Sequence, residues 1–358
     1  MKILFATGIY PPDIGGPATY AKLLFDQLPK RGFEVRVISF GEVRKLPKIV
    51  RHLVYACKLF MAAFSVDIIF AQDTVSAAFP ALWVVKILRK RFIVRVPGDY
   101  AWEQATQRFG VDDSIDEFQN KRYGMKVEFL RKIQRMVVNG ADAVITPSLY
   151  FKDLVSKWVK KPEKVFCIYN GIDLTSIPAF NGKVEPKTII SAGRLVPWKG
   201  FVSLIKWMKD LPDWKLSIAG DGPMRRGLED LTLETGVKDR VTFLGQVPRG
   251  ELIERIQKSE VFVLNTSFES FSFQIVEAMA AGTPVVATDI GNLAEIIDDG
   301  VSGILLKPDD EKAFVLSIQK LSSDTDYRNR MIAAAKDKAK RFSVETTLDM
   351  VANRLKKL

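Results

Sequence analysis

Two carboxylates stand eight positions apart in the second half of the chain, at Glu269 and Glu277. Glu269 follows an apolar run that predicts a strand, and Glu277 lies one turn into a predicted helix. Carboxylates accept hydrogen bonds from hydroxyls, so the pair suits a ligand with many hydroxyl groups, such as a sugar and a ribose. The backbone N–H groups of Phe271, Ser272 and Phe273 begin the same helix and could hold a phosphate. The alternative is a capped surface helix on which the two glutamates are incidental.

A pair of cations, Arg194 and Lys199, follows another predicted strand and the turn at Gly193. Two fixed positive charges near the start of a helix match the two negative charges of a nucleoside diphosphate. The alternative is that both are solvated surface cations. Gly220 follows the next predicted strand, and loops of this kind meet at the edge where open parallel sheets bind ligands.

Short β-branched runs, each followed by an amphipathic stretch, predict six strands in each half of the chain. The predicted strands are 2–7, 34–39, 67–71, 91–96, 142–146, 165–168, 187–192, 215–219, 240–244, 260–264, 284–288 and 303–306. Strands that alternate with helices form parallel sheets covered on both faces. The pattern predicts an α/β protein with two Rossmann-like, doubly wound parallel-sheet domains that face each other across a cleft. Clustered Gly and Pro place the break near 170–186.

The charge of the chain is uneven. Lys and Arg exceed Asp and Glu by 11 overall; residues 1–180 hold 27 basic and 17 acidic side chains, and the remainder is nearly balanced. A basic half beside a neutral half indicates an anionic partner for the first domain. Nucleic acid is not expected as that partner, because no aromatic-interleaved binding motif accompanies the basic residues.

Scarce cysteine and histidine exclude several kinds of site. Cys57 and Cys167 are far apart and predict no disulfide framework, which favours a reducing compartment. His52 is the only histidine, which argues against a Ser-His-Asp triad and a His-rich zinc site. No apolar run reaches the roughly 20 residues of a membrane span. The sequence therefore predicts a cytosolic protein or one on a membrane surface, at its inner face.

A helix predicted over residues 44–64 carries basic and aromatic side chains on one stripe and apolar ones on the rest. The stripe consists of Arg44, Lys48, Arg51, Tyr55 and Lys58. One interpretation is an interface with anionic lipid. The other is a helix packed on the sheet with a solvated basic face.

Five motifs stand in an order that resembles family 4 retaining glycosyltransferases, which have the GT-B fold. They are Tyr10–Tyr20, Asn170–Asp173, Ser191–Gly200, Gly220–Pro223 and Ser267–Pro284. The resemblance covers essentially the whole chain. It implies an N-terminal acceptor-binding domain over 1–170, a nucleotide-sugar-binding domain over 171–342, and a last helix over 343–358 that crosses back to the first domain.

The resemblance also implies roles for the matching residues. Arg194 and Lys199 look like the diphosphate clamp of a nucleotide-sugar donor. Glu277 looks like the contact to the ribose hydroxyls, and Glu269 like the contact to the hydroxyls of the donor sugar. Two glycines of the first motif and two of the later ones complete the donor-binding set, with residues 271–273. These glycines are Gly15, Gly16, Gly193 and Gly220.

The sequence departs from the family pattern where many members have a histidine after the fourth strand. Asp99 is the nearest polar substitute here, and it is either a catalytic residue or a helix cap. Serine also replaces glycine at Ser270 and Ser272.

The implied activity is transfer of a hexose-type sugar from a nucleotide-diphosphate sugar to a hydroxyl of a glycan or lipid-linked acceptor. Configuration is retained by a front-side route, without a cofactor. No metal is expected, because no Asp-x-Asp follows an apolar strand. Two alternatives are a sugar-nucleotide-binding scaffold with impaired turnover and a Rossmann-type oxidoreductase, although the latter lacks its Gly-x-Gly-x-x-Gly.

Overall fold

The chain divides into two compact units in a computed structural model that describes residues 1–13 and 16–358. Unit 1 comprises Met1–Gly171 and Glu345–Leu358, and unit 2 comprises Ile172–Val344. Each unit contains one parallel six-stranded sheet with helices around it, which confirms the predicted α/β fold class. Gly15, a predicted donor-binding residue, lies outside the described residues.

The sheet of unit 1 has the order β2-β1-β3-β4-β5-β6. Its strands are β1 (Lys2–Thr7), β2 (Glu34–Ser39), β3 (Ile68–Ala71), β4 (Arg91–Arg95), β5 (Ala143–Thr146) and β6 (Val165–Cys167). Its helices are α1 (Gly16–Gln27), α2 (Lys48–Ala63), α3 (Ala78–Leu88), α4 (Tyr100–Arg108), α5 (Ile115–Asn120), α6 (Met125–Gly140) and α7 (Leu149–Ser156).

The sheet of unit 2 has the order β12-β11-β10-β7-β8-β9. Its strands are β7 (Glu185–Ala192), β8 (Lys215–Ala219), β9 (Val241–Gly245), β10 (Ser259–Leu264), β11 (Val285–Thr288) and β12 (Ile304–Leu306). Its helices are α8 (Phe201–Trp207), α9 (Arg225–Glu234), α10 (Arg249–Lys258), α11 (Phe273–Ala281), α12 (Leu293–Ile296), α13 (Glu311–Ser323) and α14 (Thr325–Ala339). The last helix, α15 (Val344–Lys356), joins unit 1 from Glu345 onward.

Every predicted strand is present, with ends that differ by at most two residues. The central strands are continuous apolar runs because helices cover both of their faces. In β1, the four side chains from Ile3 to Ala6 are all fully buried. The same pattern over Val261–Leu264 holds β10 in the middle of the second sheet.

The side of the sheet on which successive strands are added changes next to β7. It runs from β7 to β8 and β9 on one side, and returns to β10 on the other side. The neighbouring strands β7 and β10 are therefore followed by connections that run in opposite directions along the sheet. The carboxyl ends of two such strands are where open parallel sheets form a ligand crevice. This switch point brings together the loops of residues 193–200 and 265–272.

The prediction that the basic stripe of α2 faces outward, with Tyr55 on it, is wrong. Tyr55, assigned to the basic stripe, is fully buried, and its hydroxyl donates a hydrogen bond to the Ile38 carbonyl oxygen at 3.1 Å. The Lys58 ammonium forms an ion pair with the Glu42 carboxylate at 2.7 Å, while Ile49 and Leu53 face solvent. The most apolar stripe of this amphipathic helix faces solvent, so its periodicity alone indicates the wrong side as the buried one. None of the described helices, α2 included, is long and apolar enough to cross a membrane.

Candidate functional site

Backbone hydrogen bonds fasten three loops together at the carboxyl edge of the unit 2 sheet. The Leu195 amide donates to the Asp221 carbonyl oxygen at 3.0 Å, and the Met224 amide donates to the Leu195 carbonyl oxygen at 3.1 Å. On the other side, the Ser267 amide donates to the Trp198 carbonyl oxygen at 2.8 Å. The loop after β7 is thus held between the loops after β8 and β10, and the side chains it carries have a fixed base.

Gly193 and Gly220 let two of these loops pack backbone against backbone. A Cβ on Gly220 would overlap the Gly193 carbonyl oxygen, and the φ of Gly220 is +133°. Only glycine adopts that conformation without strain, so the backbones of the two loops touch here. Gly222 is equally enclosed, because a Cβ there would overlap the Leu195 carbonyl oxygen.

Replacing Gly222 by alanine should lower the free energy of unfolding by about 2 kcal/mol, because the added methyl meets backbone that cannot move aside. Urea denaturation followed by tryptophan fluorescence measures the effect. Gly227→Ala is the control: Gly227 lies in α9, and a Cβ there meets nothing within 4 Å. Equal stability of the two variants would contradict the packing described here.

Lys199 and Glu269 form an ion pair between two of these loops. Their side chains are only 12% and 11% exposed. The Thr266 hydroxyl donates to the Trp198 carbonyl oxygen at 2.8 Å and holds the two loops in register. An ammonium has three N–H donors and a carboxylate has two oxygens, so each partner keeps capacity for a further hydrogen bond. The pair can therefore contact an anionic oxygen and a hydroxyl at the same time.

Arg194 stands in the same loop as Lys199 but is exposed. Among the residues that the structure describes, its side chain makes no ion pair or hydrogen bond. A guanidinium in this state is available to an anion that reaches the edge of the sheet.

Glu277 is nearly buried on α11 and pairs with Arg249, whose Nε donates to the carboxylate at 2.5 Å. Burial raises the pKa of Glu277, and the nearby Arg249 charge opposes that rise. Arg249 also donates to the Ser176 hydroxyl at 2.7 Å, so it ties α11 to the beginning of unit 2. Sequence reasoning missed Arg249, because nothing local marks an arginine at the start of α10 as the partner of a later glutamate.

The start of α11 is held by side chains of the predicted phosphate-binding segment. The Ser272 hydroxyl accepts a hydrogen bond from the Ile275 amide at 3.4 Å and caps the helix. Phe271 is buried, with its ring 5.5 Å from that of Phe273 and 5.7 Å from that of Phe342. These side chains orient the first turn, whose amides have no carbonyl of a preceding turn to bond.

Asp99 lies in unit 1 and is 1% exposed. Its carboxylate accepts hydrogen bonds from the Trp102 amide at 3.1 Å, from Gln119 at 2.9 Å and from Gln134 at 3.1 Å. Burial raises the pKa of Asp99, and these donors oppose the rise. The arrangement supports the second predicted role, a cap for α4. Gly16, predicted to approach a phosphate, is the first residue of α1 in the same unit.

Arg95 is a second residue that sequence reasoning missed. It ends β4 and is 2% exposed; its guanidinium lies 3.9 Å from the Tyr20 ring centroid and donates to the Asn170 side-chain oxygen at 2.6 Å. Within the described part of the chain no carboxylate pairs with it. The strand register places Gln72 beside it, and the Gln72 amide group is buried without a described hydrogen bond. The available signal was an arginine inside the apolar run of β4.

Comparison with known proteins identifies the family. A family model described as glycosyl transferases group 1 matches residues 175–338, and one described as glycosyltransferase family 4 matches residues 14–176. An uncharacterised glycosyltransferase of Methanocaldococcus jannaschii is 30% identical over 94% of this chain and 93% of its own length. The D-inositol 3-phosphate glycosyltransferase of Corynebacterium kroppenstedtii is 31% identical, over 60% of this chain and 53% of that protein.

Solved structures share the fold at low identity. Anabaena HepE in complex with UDP and glucose has a TM-score of 0.80 and 20% identity, with both chains covered completely. Sucrose-phosphate synthase from Thermosynechococcus elongatus has a TM-score of 0.81 and 20% identity, over 99% of this chain and 98% of that one. Together with the five motifs and the two parallel sheets, these matches show that the chain belongs to glycosyltransferase family 4 and has the GT-B fold.

Proposed function

We propose that this glycosyltransferase moves a hexose-type sugar from a nucleoside-diphosphate sugar to a hydroxyl of a glycan or lipid-linked acceptor, with retention of configuration. The observation that carries the proposal is the ion pair of Lys199 with Glu269 beside the exposed Arg194. This group places fixed positive charge and a hydroxyl acceptor together at the switch point of unit 2. Glu277, one helical turn into α11, supplies a second carboxylate for the ribose.

The charges explain how such a site accelerates transfer. When the bond between the anomeric carbon and the phosphate oxygen breaks, negative charge develops on the departing diphosphate. Arg194 and Lys199 stabilise that charge in advance, and each such donor is typically worth about 10²–10³ in rate. Glu269 holds the amine of Lys199 in place and keeps one oxygen for a sugar hydroxyl.

A front-side route accounts for retention without a covalent intermediate. The acceptor oxygen bonds to the anomeric carbon on the side from which the diphosphate leaves, and the departing phosphate oxygen takes the proton of the acceptor hydroxyl. A two-step route requires a carboxylate free to attack the ring. Asp99, the one candidate that the sequence offered for such a carboxylate, accepts three hydrogen bonds as a buried cap, which favours the front-side route.

Donor turnover tests this proposal. UDP-glucose is the first donor to assay, because the Anabaena relative has been solved with UDP-glucose; a thermal-shift screen across UDP-, GDP- and ADP-sugars extends the search. We expect a raised melting temperature with one donor and steady release of its nucleoside diphosphate. Binding without release would favour the scaffold alternative. Product NMR should show the anomeric configuration of the donor, and inversion would contradict the front-side route.

Activity should persist in a metal chelator, because cationic side chains take the place of a metal at the diphosphate. Among the described residues no group of three or more His, Cys, Asp or Glu side chains is arranged to hold a metal ion. Initial rates with and without excess EDTA should agree within about twofold. Loss of activity that added Mg²⁺ or Mn²⁺ restores would refute a metal-independent mechanism.

A further inference from the structure

Arg249 stands at a position where its own helix disfavours a positive charge. It is the first residue of α10, directly after Pro248, and the amino end of a helix carries a partial positive charge of its own. The dipole of α10 therefore gives no reason for an arginine here. The contacts that Arg249 makes lie outside α10.

The guanidinium of Arg249 is shared between a carboxylate and the beginning of unit 2. Its Nε donates to the Glu277 carboxylate at 2.5 Å, and its Nη1 donates to the Ser176 hydroxyl at 2.7 Å. Its Nη2 donates a longer hydrogen bond, of 3.4 Å, to the Asp173 carbonyl oxygen. Three contacts to one planar group fix the guanidinium, although the side chain is 42% exposed.

The turn that contacts Arg249 is itself held by hydrogen bonds. The Asp173 carboxylate accepts from the Thr175 amide at 3.0 Å and from the Thr175 hydroxyl at 2.6 Å. The Ser176 hydroxyl donates to the Asp173 carbonyl oxygen at 2.7 Å, so its oxygen accepts from Arg249 in a fixed orientation. Arg249 therefore connects Glu277 to an ordered turn of the backbone.

Glu277 depends on Arg249 for its charge. The Glu277 side chain is only 8% exposed, and burial raises the pKa of its carboxyl group, whereas the Arg249 charge opposes that rise. Among the described residues, Arg249 is the one hydrogen-bond donor to this carboxylate. An ionised carboxylate only accepts hydrogen bonds, and one N–H from Arg249 leaves lone pairs for both hydroxyls of a ribose.

We propose that Arg249 is a positioning residue for the donor, which keeps Glu277 ionised and in one orientation and thereby makes the site select a ribose over a deoxyribose. This inference rests on the proposed function, in which Glu277 contacts the ribose hydroxyls. It extends that function because Arg249 acts through the carboxylate rather than on the donor itself. Removing the ribose hydroxyls and removing the Arg249 side chain should then cost the same interaction.

Isothermal titration calorimetry with two probes tests this role. The probes are UDP and 2′,3′-dideoxy-UDP, with the corresponding pairs of GDP and ADP run in parallel. Arg249→Met should weaken binding of the ribonucleotide about tenfold or more, because a hydrogen bond to a charged group is lost. Binding of the dideoxy analogue should stay within about twofold, because it has no hydroxyl for Glu277. A general loss of structure would weaken both probes alike.

Arg255→Met is the matched control on the same helix. Arg255 is 43% exposed and pairs with Glu251 at 2.7 Å, but Glu251 is itself 42% exposed. Because water screens that pair, the variant should bind both probes as the unchanged chain does. Arg249→Lys keeps the charge and loses the planar fork, so it should recover part of the lost ribonucleotide affinity.

Two further measurements separate positioning from packing. Arg249→Met should raise the KM for the donor and leave kcat within about threefold, because the ribose contact is the same in the ground state and the transition state. Arg249→Met/Glu277→Gln should bind the ribonucleotide within about twofold of Glu277→Gln alone, because Arg249 acts through the carboxylate that Glu277→Gln removes.

Four results would overturn the inference. They are equal affinity of the unchanged chain for the two probes, equal losses for both probes in Arg249→Met, no loss for either probe in that variant, and an equal ribonucleotide loss in Arg255→Met. Each of these leaves the proposed function standing, provided that the unchanged chain still releases nucleoside diphosphate from a donor. If the unchanged chain bound none of the three nucleoside diphosphates, the proposed function itself would fail, and the inference with it.

Discussion

Replacing Arg194 by alanine should lower kcat about 10²–10³-fold while leaving the free energy of unfolding unchanged within error. The side chain is exposed and has no partner among the described residues, so its removal breaks nothing in the folded protein. The bound diphosphate is already negative, but the negative charge beside Arg194 is greatest when the diphosphate leaves, so the larger loss appears in kcat. Initial rates of nucleoside-diphosphate release, with urea denaturation alongside, measure both quantities.

Arg330→Ala is the matched control, because Arg330 is an exposed arginine of unit 2 on α14. It should retain the full rate. A near-normal rate for Arg194→Ala would remove Arg194 from the reaction. A raised KM with unchanged kcat would show that Arg194 binds the donor equally in the ground state and the transition state.

The strands could be predicted from sequence because burial on both faces demands continuous apolar runs, and such runs are bounded visibly by Gly, Pro and charge. The run Val261–Leu264 is an example, since it is wholly buried as β10. Which loops meet follows from the strand order, which sequence periodicity does not encode. The switch next to β7 depends on that order, with β10 returning on the far side of β7.

The sequence named candidate site residues, but it did not indicate which of them pair with each other. Lys199 and Glu269 were each expected to contact a ligand, and the structure joins them to one another across 70 positions of sequence. Their meeting depends on the Trp198 carbonyl, which accepts from Ser267 and Thr266. Such contacts arise only when two loops are brought together by the sheet.

The solvent-facing side of α2 and the partners of Asp99 could not be predicted for a related reason, because both depend on contacts that form only in the folded chain. The amphipathic pattern of α2 indicates that its most apolar stripe is buried, whereas the structure exposes Ile49 and Leu53. It buries Tyr55 instead, whose hydroxyl finds its acceptor only in the folded sheet. The sequence offered Asp99 as a helix cap, and its bond with the Trp102 amide is that cap. Its further partners Gln119 and Gln134 reach it from α5 and α6, which only the fold brings near.

Replacing Lys199 by methionine should both destabilise unit 2 and slow transfer. Methionine keeps the length of the side chain but leaves the Glu269 carboxylate nearly buried without its counter-charge. Breaking a buried ion pair from one side typically costs about 3–5 kcal/mol. Urea denaturation measures this loss, and the rate of nucleoside-diphosphate release should fall at least about 10²-fold.

Lys258→Met is the control for the loss of a paired lysine. Lys258 pairs with Glu254 on α10 at 2.6 Å, but both side chains are well exposed. Because water screens such a pair, its removal should leave stability and turnover unchanged within error.

The double variant Lys199→Met/Glu269→Gln separates the structural role of the pair from its chemical role. With both charges gone, no carboxylate is left uncompensated, so most of the lost stability should return. Turnover should stay at least about 10²-fold below the unchanged chain, because neither the positive charge at the diphosphate nor the carboxylate at the sugar is restored. If turnover returned together with stability, Lys199 and Glu269 would be only a link between two loops. Arg194 and the amides at the start of α11 would then have to hold the departing diphosphate without them.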